Sequence, residues 1–134
     1  MNPFAGEKVQ TTETRILDVS KMLARAIGES TQLQKYEKAT ENMQANPEAK
    51  RRLSEFREAQ QKLQMVKQWG GASEKDFTHL EKLQEQLLSN PDLKKYFQAQ
   101  ENLVSMLKEL NVLISEKLGY DFANLAKPSI GCCS

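Results

Sequence analysis

The sequence is poor in the residues that build catalytic and metal sites. Its 134 residues include one histidine, His79, and two cysteines, Cys132 and Cys133, which are adjacent. His79 has one carboxylate at helical spacing, Asp76, and this pair does not supply the three or four ligands of a zinc site. The sequence also lacks a glycine-rich phosphate loop, a nucleophile elbow and a paired-histidine motif. These absences predict a protein that is not an enzyme.

The sequence also has no excess of one charge and no long apolar run. Its 19 basic and 18 acidic residues give a net charge of +1, too little to displace counterions from a nucleic acid. No stretch approaches the ~20 apolar residues of a membrane-spanning helix. The start, Met1–Glu7, lacks the cationic and apolar segments of a secretory signal. We therefore expect no direct nucleic-acid binding, no membrane association and a cytoplasmic location.

The residues that are abundant favour α-helices. Leu, Gln, Glu, Lys and Ala dominate, and hydrophobic residues make up 39% and aromatic residues 7% of the chain. This composition predicts an all-α protein with a thin core. Such a chain either folds as a slender bundle or takes apolar surface from a partner.

Glycine, proline and capping residues divide the chain into about five helices, the last one long, in an elongated bundle. We expect a flexible arm over residues 1–12, a helical domain over 13–119 and a flexible tail over 120–134. The helices are predicted from about Glu13 to Ile27, from Ser30 or Thr31 to Asn46, from Pro47 to Trp69, from the Ser73–Asp76 capping box to Asn90, and from Pro91 to Leu118.

Two boundaries resemble one another at an offset of about 44 residues. Asn46-Pro47-Glu48 aligns with Asn90-Pro91-Asp92, and Leu53 aligns with Phe97. Asn is a strong N-cap and Pro is tolerated at the first helical position, so both motifs predict a capped corner between two helices. Duplication of a two-helix unit explains the likeness. So does the independent use of the same capped corner at two places where helices meet.

The fifth helix is apolar on two adjacent rows, and we predict that it is the most buried element. Two rows are explained either by a central helix in a monomeric bundle or by a surface for self-association or a partner, most simply a two-fold dimer. Asn111 either sets a pairing register or faces solvent. The rows are Leu103, Met106, Leu110 and Leu113, and Val104, Leu107, Ile114 and Leu118.

The tail ends in Ile130-Gly131-Cys132-Cys133-Ser134. Two thiolates bind soft metals or cluster iron, but a complete site needs about four ligands. We therefore treat Cys132 and Cys133 as a partial metal site that a second chain or a partner protein completes. The alternative is a tail with incidental thiols.

Several motifs resemble the YlbF/YmcA family of bacterial regulators. Their order and spacing carry the resemblance, which covers roughly residues 15–122. The motifs are Leu23–Ser30, the Asn46–Ala49 corner, Phe56–Gln64, Asn90–Tyr96 and Leu110–Ser115.

The resemblance implies a helical, self-associating cytoplasmic protein without catalytic residues. It implies an adaptor that acts with other regulators of the same family and an unrelated third protein. Their complex influences messenger-RNA processing by ribonuclease Y and controls competence, biofilm formation and sporulation. In some members, C-terminal cysteines help to hold iron–sulfur clusters shared across the complex, and Cys132 and Cys133 match these in kind and place. The alternative function is a self-contained structural or chaperone-like homo-oligomer with incidental cysteines.

Overall fold

The protein is built from helices joined by short breaks. The structure, a computed structural model, describes the backbone of residues 4–128 and the side chains of residues 11–128. No strand occurs in this part of the chain, and the predicted all-α class is confirmed. The helices are α1 (Phe4–Gly28), α2 (Thr31–Gln44), α3 (Pro47–Gln68), α4 (Glu74–Ser89), α5 (Pro91–Leu118) and the short α6 (Phe122–Ala126).

The two ends of the described chain differ from the prediction. Helix α1 begins at Phe4 rather than near Glu13: the intervening residues contain no proline, and they include the helix formers Ala5, Glu7, Lys8 and Gln10. Helix α6 lies in the region predicted as a tail. Its first turn is held to α5 by hydrogen bonds, since the Phe122 N–H donates to Ser115 Oγ at 3.0 Å and the Ala123 N–H donates to Asn111 Oδ1 at 3.0 Å. Asn111 therefore anchors α6.

The two Asn-Pro motifs form corners with the predicted caps. Asn46 Oδ1 accepts a hydrogen bond from the Ala49 N–H at 3.1 Å. Asn90 Oδ1 accepts from the N–H groups of Asp92 and Leu93 at 3.0 and 3.2 Å. Each side chain thus satisfies backbone donors that have no partner in the first turn of a helix. The corners also contact each other, because Asn46 Nδ2 donates to Asp92 Oδ2 at 2.8 Å.

The four central helices pack in two pairs. Helix α2 packs against the first half of α5, and α3 packs against α4 as a hairpin, so each helix pairs with one from the other half of the 44-residue repeat. Equivalent positions in the two halves are buried alike: Ala49 with Leu93, and Met43 with Leu87. The sequence likeness therefore corresponds to a pseudo-two-fold arrangement of two helix–corner–helix units.

The core lies where these corners meet. Tyr96 stacks between Tyr36 and Phe97, with ring centroids 5.7 and 5.3 Å apart. Arg52 of α3 links the two helices at this point, because its Nη1 donates to the carbonyl oxygen of Gln86 at 2.8 Å, near the end of α4. The buried cluster consists of Ala39, Met43, Ala49, Leu53, Leu87, Leu93, Tyr96 and Ala99.

The buried residues of the fifth helix all lie in its first third, which corrects the prediction for its later rows. Four residues of those rows, Leu103, Met106, Leu110 and Ile114, are half-buried, and the other four are exposed. The buried residues of the helix are Leu93, Tyr96 and Ala99, of which only Leu93 is fully buried. Leu107, predicted to be a core position, is 41% exposed. Thr31, the first residue of α2, lies in a groove beside Met106 and Glu109, so α2 reaches α5 as far as Glu109 and Leu107 lies on a side of α5 that α2 leaves open. Beyond that point the main neighbour of α5 is α6.

The α3–α4 hairpin is closed by a capping box. The Ser73 N–H and hydroxyl both donate to Asp76 Oδ2 at 3.0 Å. These two bonds, the backbone one first, lower the pKa of Asp76. A carboxyl whose pKa is lower in the folded state stabilises the fold above its unfolded pKa. The contribution of this box is therefore lost as the pH falls through the folded pKa of Asp76.

Candidate protein-interaction surfaces

The predicted metal site, Cys132 and Cys133, lies outside the residues that the structure describes. Between residues 11 and 128, no three His, Cys, Asp or Glu side chains come together to hold a metal ion. His79 lines a groove of about 470 Å³ between α3 and α4 together with Asp76, Glu55, Glu58 and Lys62. The Asp76 carboxylate there is already used by the Ser73 cap, and the mixture of acids and a lysine is typical of a solvated helix face.

The polar surface near the first corner is an ion-pair network. Arg51 bridges two acids of α3, with distances of 2.6 Å to Glu48 and 2.7 Å to Glu55. Arg52 lies 2.9 Å from the same Glu48 carboxylate. Hydrogen bonds from Arg51 and then Arg52 lower the pKa of Glu48. The network supports the start of α3, where a carboxylate also favours the helix dipole.

The most unusual property of the molecule is the distribution of its exposed apolar side chains. Seventeen large apolar residues are exposed in the part of the chain described, and thirteen of them lie on α1, on α5 after Ala99 or on the segment that follows α5. We call these thirteen the α1/α5 surface. They are Ile16, Leu17, Val19, Met22, Leu23, Val104, Leu107, Val112, Leu113, Leu118, Tyr120, Phe122 and Leu125.

Helix α1 contributes a face that the described part of the chain leaves uncovered. Every residue from 11 to 26 is exposed, and Ile27 is the first that is partly buried. The helix packs chiefly against α2, just after the break at Gly28. Ile16, Val19, Leu23 and Ile27 follow helical spacing in the sequence, but the sequence does not show that this apolar row is open. Periodicity identifies which face is apolar, and does not show whether that face is covered.

A second apolar surface lies near the tip of the α3–α4 hairpin. Trp69, the C-cap residue of α3, is 86% exposed. Met65 and Phe77 are exposed on the two helices that lead to the tip. Lys67 Nζ lies 5.1 Å from the centre of the Phe77 ring, a cation–π distance. We call Met65, Trp69 and Phe77 the hairpin surface; an exposed tryptophan of this kind is typical of the anchors of protein interfaces.

The fold and these surfaces define a helical protein that presents open apolar faces to its surroundings. The described helices include none that is both long and apolar enough to cross a membrane. Residues 16–119 match the sequence model of a family described as control of competence regulator ComK, YlbF/YmcA. The chain belongs to this family, as its motifs indicated, and the match ends at Gly119, the left-handed residue that terminates α5.

Comparison with curated proteins gives relatives of similar length. A UPF0342 protein of Symbiobacterium thermophilum is 28% identical over 105 residues, which cover 78% of this chain and 94% of that protein. A UPF0342 protein of Desulfitobacterium hafniense is 25% identical over 120 residues, covering 89% of this chain and 87% of its own length. Another, from Caldicellulosiruptor bescii, is 23% identical over 106 residues, or 78% of this chain and 89% of its own.

Proposed function

We propose that this protein is a non-enzymatic regulatory adaptor that binds other proteins through apolar helical surfaces. The observation that carries the proposal is the amount of apolar side chain left exposed by a chain with such a small core. Contiguous exposed apolar surface is typical of protein-binding sites. The family description, control of a competence regulator, agrees with a role exercised through other proteins.

The resemblance to the family suggests which partners to propose. We propose that the chain acts in the cytoplasm, with itself, with other regulators of the same family and with an unrelated third protein. Their complex is proposed to influence messenger-RNA processing and, through it, competence, biofilm formation or sporulation. The near-neutral charge supports contact with proteins rather than directly with the RNA.

A second candidate function rests on the same surfaces. If the α1/α5 surface and the hairpin surface bind only copies of this chain, the protein is a self-contained structural or chaperone-like oligomer. The position of the hairpin surface favours the adaptor, because Trp69 lies on a different helical pair from the second half of α5. A chain with two separated apolar surfaces has room for a partner besides its own copy.

The adaptor is tested by purifying the tagged chain from its native host and identifying what accompanies it. We expect a second family member and an unrelated protein in constant proportion to the chain. Replacing Trp69 with glutamate should remove most of this material, because a desolvated aromatic anchor contributes about 2 kcal/mol or more to binding. The matched control is Gln61→Glu on the exposed face of the same helix, which should leave the complex intact. If the parent chain is recovered without any other protein, the adaptor function is contradicted and the self-contained oligomer is favoured.

The two cysteines give a separate prediction. We propose that the Cys132 and Cys133 thiolates contribute to an iron–sulfur site that a partner completes, since two thiolates are about half of a ligand set. The purified chain alone should be colourless, and iron and visible absorbance should accompany the native complex. The Cys132→Ser, Cys133→Ser double variant should lower both. If the iron content and partner affinity of that variant equal those of the parent, the thiols are incidental.

A further inference from the structure

Helices α2 and α5 enclose a polar groove that the proposed function does not use. Two adjacent cavities of about 320 and 380 Å³ form it, and both are lined by Lys35, Ala99 and Asn102. We call them together the α2/α5 groove. We propose that this groove binds an acidic, extended peptide segment of a partner protein. The inference goes beyond the adaptor function, because it concerns a charged surface and does not depend on the apolar ones.

The walls of the groove are two rows of exposed polar side chains. The rows are Lys35, Lys38 and Asn42 on α2, and Lys95, Gln98 and Asn102 on α5. Each row has the three- and four-residue spacing that places side chains along one face of a helix. Between the rows the groove is lined by two small residues, Ala39 and Ala99, which are 8% and 9% exposed. The small side chains leave room for a ligand between the two polar walls.

The larger of the two cavities is positively charged. Lys35, Lys38 and Lys95 line it, and its described lining includes no carboxylate. Of these three lysines, only Lys38 makes an ion pair with a described residue, at 3.8 Å to Glu41, and the two side chains of that pair are 70% and 74% exposed. An exposed pair of this kind contributes little, so it does not hold Lys38 away from a ligand. The charge of the walls favours an anionic ligand.

The equivalent groove of the other helical pair has the opposite charge. At the 44-residue offset, Lys35 corresponds to His79 and Asn102 corresponds to Glu58, and both of these residues line the groove between α3 and α4. That groove is lined by three carboxylates and one lysine, whereas the α2/α5 groove is lined by three lysines and one carboxylate, that of Glu109. Because the same helix packing accommodates either charge, the packing does not account for the lysines.

The chemistry of the walls favours a peptide over a nucleic acid. Asn42, Gln98 and Asn102 are exposed carboxamides, which both donate and accept hydrogen bonds and therefore match the N–H and C=O groups of a peptide backbone. Among the described residues that line the groove, none is aromatic, whereas proteins that bind single-stranded nucleic acids stack the bases on aromatic rings. A net charge of +1 also gives little attraction for a polyphosphate.

The dimensions of the groove fit about five residues of extended chain. Helix α2 lines it from Thr31 to Asn42, about 16 Å along the helix axis, and an extended chain advances about 3.3 Å per residue. Successive side chains of such a chain point to opposite sides, so adjacent carboxylates face Lys38 on one wall and Lys95 on the other. Glu109 lies at the far end and disfavours an acidic residue there.

Binding is measured by the fluorescence anisotropy of a short labelled peptide made of glutamate pairs separated by serine. We expect this peptide to bind and its affinity to fall as salt is added. A peptide with lysine in place of every glutamate should bind at least ~10-fold more weakly. If the glutamate peptide does not bind, or if the lysine peptide binds equally well, the proposal is overturned. Tighter binding of an oligouridylate of the same length would identify a nucleic acid as the ligand and overturn the peptide.

Charge variants test whether the groove is the binding site. Lys35→Glu with Lys95→Glu reverses one charge on each wall and should weaken binding at least ~10-fold. The matched control, Lys50→Glu with Lys108→Glu, makes the same change in net charge at exposed lysines that do not line the groove, and should change the affinity less than about twofold. Glu109→Lys extends the positive wall and should strengthen binding about threefold. Equal losses in the two double variants would show an effect of net charge alone and contradict the site.

Carbodiimide coupling, which joins a carboxylate to an amine in contact with it, locates the bound peptide. Mass spectrometry should find the glutamate peptide joined to Lys35, Lys38 or Lys95, and not to Lys62 of the α3–α4 groove. Coupling spread evenly over the exposed lysines would overturn the proposal. Trp69→Glu, which tests the adaptor, should leave the affinity for this peptide unchanged, so failure of one proposal is distinguishable from failure of the other.

Discussion

Replacing Leu93 with alanine is expected to lower the free energy of unfolding by about 3–5 kcal/mol. Leu93 is 0% exposed and lies at the second corner, where both helical pairs meet. Its loss removes transfer free energy and leaves a cavity that the surrounding corner backbone cannot readily fill. Because the core cluster holds eight buried residues within the described part of the chain, few other contacts compensate. The thermal midpoint should fall by roughly 10–20 °C.

Leu107→Ala is the matched control, because it makes the same change fourteen residues further along α5. Leu107 is 41% exposed, so Leu107→Ala should lower the free energy of unfolding of the monomer by about 1 kcal/mol or less. Urea denaturation at low protein concentration measures the free energy of unfolding of both variants. A Leu93→Ala variant that is as stable as Leu107→Ala would show that the corner is not the centre of the core. A loss in Leu107→Ala that grows with protein concentration would indicate that self-association buries this residue.

Replacing Asn90 with alanine should lower the free energy of unfolding by about 2–3 kcal/mol. The side chain caps α5 and accepts two backbone N–H groups, of which the Leu93 N–H is buried. Alanine leaves both donors unsatisfied, and a buried unsatisfied donor is more destabilising than an exposed one. Thermal and urea denaturation both measure the effect.

The equivalent residue of the first corner gives a graded comparison. Asn46 accepts from one N–H group and is only partly buried, so Asn46→Ala should lower stability by about 1–2 kcal/mol. Asn90→Asp keeps an acceptor at the cap and should recover most of the loss. Asn46→Asp places a carboxylate beside the Asp92 carboxylate, 2.8 Å from the present amide nitrogen. The two carboxylates repel each other once both are ionised, so the variant should become less stable as the pH rises from acid towards neutral.

The helix boundaries could be predicted from the sequence because each depends on a few adjacent residues. Asn46 and Asn90 cap the helices that follow them, and Gly119 ends α5 with a φ of 78°. The early start of α1 was missed, since helix formers without a strong cap give no clear signal for a first residue. Helix α6 was missed because two of its N–H groups are satisfied by Asn111 and Ser115 of α5, residues that local sequence does not associate with it.

The sequence by itself determined the helical class, the two Asn-Pro corners and the apolar rows of α5, because these depend on propensities, on helical periodicity and on hydrogen bonds between near neighbours. Only the tertiary structure decided which apolar faces are covered. Helix α2 has 14 residues and α5 has 28, so packing one against the other buries Leu93 and leaves Leu113 open. Burial depends on what lies opposite a residue, and the segment opposite is remote in the chain or belongs to another molecule.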